Sequence, residues 1–500
     1  MAGEPYGARV RLRYATFVNI ATRMIAVFAS LIFVISVTRR LSVEEFGIWS
    51  MIMKYVNYTL PFTSIYAYWL PRTISRGVNT ARTGFIMSIL LGLTASIIYT
   101  GIAYEASAVF NQPIVPLLVA VLIVFQEYLN RCLTAISIGH APQYVGWSTL
   151  ILRISQAILG VFLVLFYKWG LYGAVLAAVG GRSAVLILLF VLNSRFVMES
   201  KFEVRVLWDW LKKSWLPLYS GLLTSFIALD AIIVRYFTGG EEPVAYYGVA
   251  ISLLGLTLAS TQGLPALYSR LLANRRVEDI VEVFWILFMI TTPTVIGVLC
   301  YAEAFAAIYN IAYVQASLVI RVFAIAAFFR LFSMMLETAL KGVENRDIGS
   351  TGFNDLLGTA LFKTPSINYF ITSIYLVLLA LSSILLGNEY VTVALAWGVL
   401  YTIRQVLLSV SFALFLKKEF SILIPYGKLL KYSLKFMLAS ITIILVRILC
   451  PVEPVESIYT LLRELLPAIA CSAVSYLGAL IVLDSKFREL VRRIISSIIL

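Results

Sequence analysis

Eleven basic residues interrupt apolar runs that would otherwise read as uniform membrane-crossing helices. Arg23, Lys54, Arg131, Arg153, Arg182, Arg235, Arg321, Arg330, Arg404, Lys435 and Arg447 all fall inside stretches long enough to cross roughly 30 Å of hydrocarbon. Each would cost about 2.5–3.5 kcal/mol at mid-bilayer, so leaving half of them against lipid would cost on the order of 15 kcal/mol, comparable to the stability of a whole domain. They must face water, protein or an anion. Guanidinium groups are planar forked donors that bind the oxygens of a phosphate or pyrophosphate through short, charge-assisted bonds. The pattern suits the holding of an anion within a membrane.

Local spacing sorts these cations. Arg23, Lys54, Arg153, Arg182 and Arg404 have no acid three or four residues away. Arg131 follows Glu127 by one turn, Arg330 precedes Glu337 by two turns, and Arg235 follows Asp230 by five residues. The first five and Arg330 are the candidate cargo contacts. Glu127, Asp230 and Glu337 are candidate coupling acids or partners in buried ion pairs, because acids and bases inside membranes find each other. Helical periodicity puts Thr16, Asn19, Arg23, Ala26 and Ser30 on one stripe, and Ser50, Lys54, Asn57, Pro61 and Ser64 on another. Thr149, Arg153, Gln156 and Gly160 share a face, as do Tyr401, Arg404 and Ser411. Such stripes have the character of a wet lining. Lys435 and Arg447 lie near the ends of their runs and are expected to snorkel to the interface. His140, the sole histidine, sits in a Gly-His-Ala-Pro turn, and Cys132, Cys300, Cys450 and Cys471 have no metal-ligand spacing, so neither metal nor cofactor is expected.

The elements that must position these side chains follow from composition. With 61% apolar and 13% charged residues, the chain is too apolar for a soluble globule, in which about a quarter of residues are charged. The expected class is an all-α polytopic membrane protein of about fourteen transmembrane helices, near 14–37, 48–70, 85–104, 114–136, 145–167, 171–192, 216–237, 244–264, 281–301, 314–340, 367–386, 391–416, 429–449 and 461–483. The net charge of +14 does not mark a nucleic-acid protein, since the cations stand in short loops or inside apolar runs rather than on a soluble face. One set of alternate loops is basic (Arg72, Arg76 and Arg82; Arg270, Arg275 and Arg276; Lys341, Arg346 and Lys363; Lys417, Lys418, Lys428 and Lys431). The other carries Glu44 and Glu45 beside Arg39 and Arg40, then Glu105, Lys168, Glu241, Glu242, Glu303, Glu389, Glu453 and Glu456. The positive-inside rule then puts both termini in the cytoplasm and the protein in the cell membrane. The first apolar run lacks a cleavage site and is read as an uncleaved span.

Residues 195–217 are the most polar passage of the first half. Val204, Leu207, Trp208, Leu211 and Trp215 recur at helical spacing with Arg205, Asp209, Lys212 and Lys213 between them, the pattern of an interfacial helix. This cytoplasmic joint divides an N-terminal lobe, 1–194, from a C-terminal lobe, 218–418. Two further helices, 419–483, and an amphipathic tail, 484–500, follow.

Internal repeats support two halves. Thr38-Arg39-Arg40-Leu41-Ser42-Val43-Glu44-Glu45-Phe46-Gly47 is echoed by the passage from Val234 through Arg235, Glu241 and Glu242 to Tyr247-Gly248, and Gly170-Leu171-Tyr172-Gly173-Ala174 by the run from Glu389 to Ala396. Matching positions suggest six-helix lobes of like orientation, related as a parallel pseudo-twofold repeat. These passages resemble the polysaccharide (O-antigen type) flippases of the multidrug/oligosaccharidyl-lipid/polysaccharide exporter superfamily, over the first twelve spans. The resemblance implies a central polar cavity between two lobes, alternating access, and a lipid-linked oligosaccharide on a polyprenyl phosphate or pyrophosphate as cargo. It also implies membrane lipids and the glycosyltransferase or polymerase machinery as partners. Lipid II flippases of that superfamily keep basic residues in their first two spans, where Arg23 and Lys54 are similar in placement.

Two other readings stay open. A cation-coupled multidrug antiporter of the same fold needs an acid in its lumen, and here the first helix offers only Arg23. A non-transporting membrane protein of polysaccharide assembly gives no reason for mid-depth cations. An enzyme is not expected: the loops of the acidic set are short, and a membrane transferase needs an activated acid or base near the interface.

Overall fold

The structure, a computed structural model, describes residues 12–75, 77–212, 214–258, 261, 264, 277–344, 357–489 and 491–492. Among these residues it is all helical. The chain divides into two compact units, Met1–Ala245 and Tyr246–Leu500. Among the described residues, eleven helices are long and apolar enough to cross a membrane.

The first unit opens with α1 (Leu12–Thr38), which packs lengthwise on α7 (Gln143–Gly160). The turn after α1 is closed by a capping box: Ser42 Oγ accepts from the Glu45 amide at 3.0 Å, and Glu45 Oε2 accepts from the Ser42 amide at 3.0 Å. That box starts α2 (Val43–Thr59). Sequence reading expects one span over 48–70, but the structure breaks it at Leu60–Phe62 and restarts it as α3 (Thr63–Ser75). Pro61 has no amide hydrogen, so one bond of the helical ladder is missing where the chain turns. Next come α4 (Ala81–Phe110), α5 (Ile114–Val119), α6 (Val121–His140), α7 with a π-helical extension over Val161–Phe166, and α8 (Gly170–Glu199). α6 packs against α3, α4 and α8, while α7 lies along α8. The short α9 (Val204–Lys212) docks on α3 and α4, and α10 (Trp215–Thr238) runs beside α2 and α3. Gly221 makes that approach close. A Cβ there would stand 2.9 Å from Ser64 Oγ and 3.1 Å from the Pro61 carbonyl oxygen.

The second unit holds most of α11 (Glu242–Thr257), then α12 (Val277–Cys300), α13 (Ala302–Tyr309), α14 (Ser317–Val343), α15 (Ala360–Leu386), α16 (Tyr390–Phe420), α17 (Tyr426–Leu449) and α18 (Ile458–Leu483). α14 packs along α16, α16 along α15, and α12 along α17. Tyr301, Ala304 and Ala307 bury themselves against Val452, Leu461, Leu465 and Ala468, which ties α18 and the loop before it to α13. The amphipathic tail is described only through 492, and Arg270, Arg275, Arg276 and Arg346 lie outside the described residues.

Candidate anion site

In the first unit the break in the second span is the organising feature. Thr63, the first residue of α3, caps the broken end through its hydroxyl, which donates to the Leu60 carbonyl at 2.7 Å. The same oxygen accepts from Arg131 Nη1 at 3.2 Å. Arg131 and Glu127 share one face of α6, being one turn apart, and their side chains meet at 3.5 Å. Glu127 Oε1 takes Arg182 Nε from α8 at 2.7 Å. Arg182 also donates to the Ala178 carbonyl at 3.2 Å, and Asn130 donates to the Arg182 carbonyl at 3.1 Å, so its position is fixed from two helices. Arg153 on α7 stands within electrostatic reach of both Arg182 and Glu127, and donates to Gln156 Oε1 at 3.1 Å. Gln156 can lie there because Gly181 offers no side chain: a Cβ would be 2.5 Å from Gln156 Cγ. Two guanidinium groups from two helices therefore hold one carboxylate, and a third, Arg153, stands within electrostatic reach of it.

Further along the same unit, Lys54 Nζ meets Asp230 Oδ1 at 2.9 Å, with Asp230 fully buried. Sequence spacing grouped Lys54 and Arg182 with the cations lacking a local acid, and both prove to have a distant one. Arg235 does not take Asp230. It bonds Glu241 at 2.6 Å and the Phe110 carbonyl at 2.9 Å, and Gln112 also donates to Glu241 at 2.6 Å. Arg23 is exposed on α1, with no partner among the described residues, while Ala26 and Ala29 on the same helix are buried. Thr16 and Asn19 of its stripe have side chains outside the described set.

The second unit carries a different cluster. Arg404 on α16 is 4% exposed, yet its partners are neutral: Nε donates to Thr372 Oγ1 at 3.0 Å and Nη2 to Asn368 Oδ1 at 2.7 Å. Its guanidinium carbon stands 5.8 Å from the centre of the Tyr375 ring, a cation–π distance. Asn368, Thr372 and Tyr375 lie at helical spacing on α15, a polar stripe that could have been read in the sequence but was not. Arg330 donates to Tyr401 Oη at 2.9 Å, and Tyr401 and Tyr375 meet edge to face at 6.5 Å. Neither arginine has a carboxylate partner among the described residues. Glu337 pairs with Lys341 at 2.7 Å, one turn on, rather than with Arg330. Lys435 pairs with buried Asp484 at 3.2 Å, just past the end of α18, and Arg447 donates to the Cys300 carbonyl at 3.2 Å.

With this geometry in hand, the chain can be compared with known structures. The lipid II flippase MurJ, in an inward closed conformation, superposes with a TM-score of 0.67 over 96% of this chain and 99% of that one, at 13% identity. An inward-facing multidrug resistance MATE transporter of the MOP superfamily matches with a TM-score of 0.58 over 81% and 99%, at 16% identity. This chain shares its fold with both of these structures. A MOP-superfamily transporter from Pyrococcus furiosus, whose binding pocket is described as of reverse polarity, also matches, with a TM-score of 0.51 over 84% and 97% at 16% identity. No protein-family model and no curated relative matches the sequence. At such identities the likeness is one of fold, and the cargo must be argued from the side chains. Besides the cations paired one to one with an acid, Arg321 with Glu303 among them, the described residues hold an arginine cluster around Glu127 in the first unit and, in the second, Arg330 and Arg404 without a carboxylate partner.

Proposed function

We propose that this protein is a flippase that moves a lipid-linked oligosaccharide, on a polyprenyl phosphate or pyrophosphate, across the cell membrane by alternating access. The six-helix lobes 1–194 and 218–418 are its moving parts, joined by 195–217, and both termini are cytoplasmic. Arg153 and Arg182, with Arg131, make the principal contacts to the phosphate head. Arg404 and Arg330 form a second cationic station, and Arg23 and Lys54 lie along the path. The observation that supports this reading is the excess of guanidinium over carboxylate around Glu127: Arg131 and Arg182 both bond this one acid, and Arg153 stands within electrostatic reach of it. An uncompensated positive cluster within membrane helices is stable only when an anion or water completes it. A pyrophosphate, with its several oxygens, suits three forked donors.

The test is transport of a fluorescent polyprenyl-pyrophosphate sugar into proteoliposomes by the wild type, Arg182→Ala and Arg153→Ala. Loss of transport in both variants, with normal yield and monodispersity, is the expected result. Arg→Lys at the same positions separates a need for charge from a need for the fork. Unimpaired transport by both alanine variants would remove the cluster from the mechanism.

A cation-coupled multidrug antiporter is the second reading, favoured by one observation: Asp230, fully buried on α10, is an acid within a span. In that reading Asp230 trades a proton or sodium for a cationic drug, and Asp230→Asn abolishes efflux. Against it, Asp230 is already held by Lys54.

A further inference from the structure

Glu127 has a role that anion contact alone does not explain. Its two oxygens are divided between two helices' arginines, Oε1 to Arg182 at 2.7 Å and Oε2 to Arg131 at 3.5 Å. The two bonds differ in kind. Arg182 is 13% exposed and tied to the Ala178 carbonyl as well, whereas Arg131 is 46% exposed and its second bond goes to a hydroxyl, that of Thr63. The longer, more open bond is the one an incoming anion can reach.

We infer that Glu127 is a resident stand-in for the phosphate head: it holds Arg182 and Arg131 apart from lipid in the empty protein and is displaced from Arg131 when a phosphate or pyrophosphate enters. The inference rests on the headgroup reading above. It gives Glu127 a specificity role distinct from that of the arginines. A carboxylate left beside a bound phosphate repels it, which lowers affinity and speeds release, so the site does not become a trap for an anion that three arginines would otherwise hold tightly. Like charges placed together at a binding surface oppose association, so the carboxylate sets the rate at which cargo leaves. Glutamine at this position keeps an acceptor for Arg182 and removes the repulsion.

Binding of inorganic pyrophosphate and of farnesyl pyrophosphate to the purified full-length protein, by titration calorimetry in detergent, tests the inference. Glu127→Gln should bind at least about tenfold more tightly than the wild type while its transport turnover falls. A gain for both probes means that the head alone is read; a gain for farnesyl pyrophosphate only means that the site reads it on a lipid. Either gain supports the displacement. Equal or weaker binding of both probes by a monodisperse Glu127→Gln variant overturns it. Should that variant not fold, Glu127→Asp keeps the charge but shortens its reach to Arg131, and a smaller gain is expected, with no gain overturning the inference. Failure of the underlying reading looks different: pyrophosphate binding that is absent in the wild type, or present and indifferent to Arg182→Gln and Arg153→Gln.

Discussion

Gly47 allows a sharp test of how the first unit is closed at the end carrying its two Glu-Glu turns. A Cβ on Gly47 would stand 2.3 Å from the Glu241 carbonyl oxygen, 2.7 Å from the Glu241 Cβ and 2.9 Å from its carbonyl carbon. Non-bonded carbons settle at about 3.5–4.0 Å, so Gly47→Ala must drive residue 241 back by roughly 1 Å. Its carboxylate currently accepts Arg235 and Gln112, each at 2.6 Å, and the same displacement would stretch both bonds beyond hydrogen-bonding range. Overpacking costs about 1–3 kcal/mol, and a bond to a charged group about 1.5–3 kcal/mol, so after partial relaxation a loss of about 2–4 kcal/mol is expected. For a unit of this size that lowers the unfolding midpoint by roughly 5–15 °C. Tryptophan fluorescence during heating in detergent measures it. Gly101→Ala is the control, because a Cβ there meets nothing within 4 Å and alanine suits a helix better than glycine. If Gly47→Ala melts with Gly101→Ala, the packing of the two turns is not what holds this end together.

Asp230→Asn removes the charge that half-buried Lys54 meets at 2.9 Å and should destabilise by about 3–5 kcal/mol, whereas the double change Lys54→Met with Asp230→Leu should recover most of that loss in the same melt. Asn368→Ala strips Arg404 of a 2.7 Å acceptor in a buried site and should cost about 1–3 kcal/mol, while Asn368→Asp, which adds a carboxylate, should raise the midpoint. The pH dependence of Glu241, which lies in the turn between α10 and α11, is of defined sign. Burial holds its carboxyl above the usual carboxylate range, with Gln112 and Arg235 opposing and Glu44 adding to the rise. The folded state thus holds that proton more tightly than the unfolded chain, so its contribution is present at acid pH and is lost as pH rises through the raised value. Relative to Glu241→Gln, which cannot titrate, the wild-type midpoint should fall over that interval, and parallel curves would contradict the assignment.

Hydropathy carried the helical elements well, because a span must be apolar over a fixed length whatever it packs against. α1, α8, α16 and α18 all cover the runs read from the sequence. The second span shows what that method lacks. Pro61 reads as a kink, yet whether a chain bends or breaks there depends on what packs beside it, and here Gly221 of α10 lies against the break. The cations were equally visible, but their partners were not. Lys54 and Asp230 are 176 residues apart, and Arg182 and Glu127 are 55 apart, separations that no helical period encodes. Local spacing did identify Arg131 with Glu127. It misled for Arg235, whose acid lies six residues on, beyond the end of its helix.

Much of the segment 195–217, expected as an interfacial helix, is riveted to the start of α4. Asn79 Nδ2 donates to the Phe196 carbonyl at 2.9 Å, Ser200 Oγ to the Asn79 carbonyl at 2.7 Å, and the Glu203 amide to Thr83 Oγ1 at 3.0 Å, while Trp210 is almost fully buried. For protein engineering this means that a fluorescent reporter or a split-protein breakpoint spliced into 200–212 would pry apart the start of α4. The turn at Ser421–Leu423, with Ser421 in a left-handed conformation and both end residues exposed, is the better insertion point.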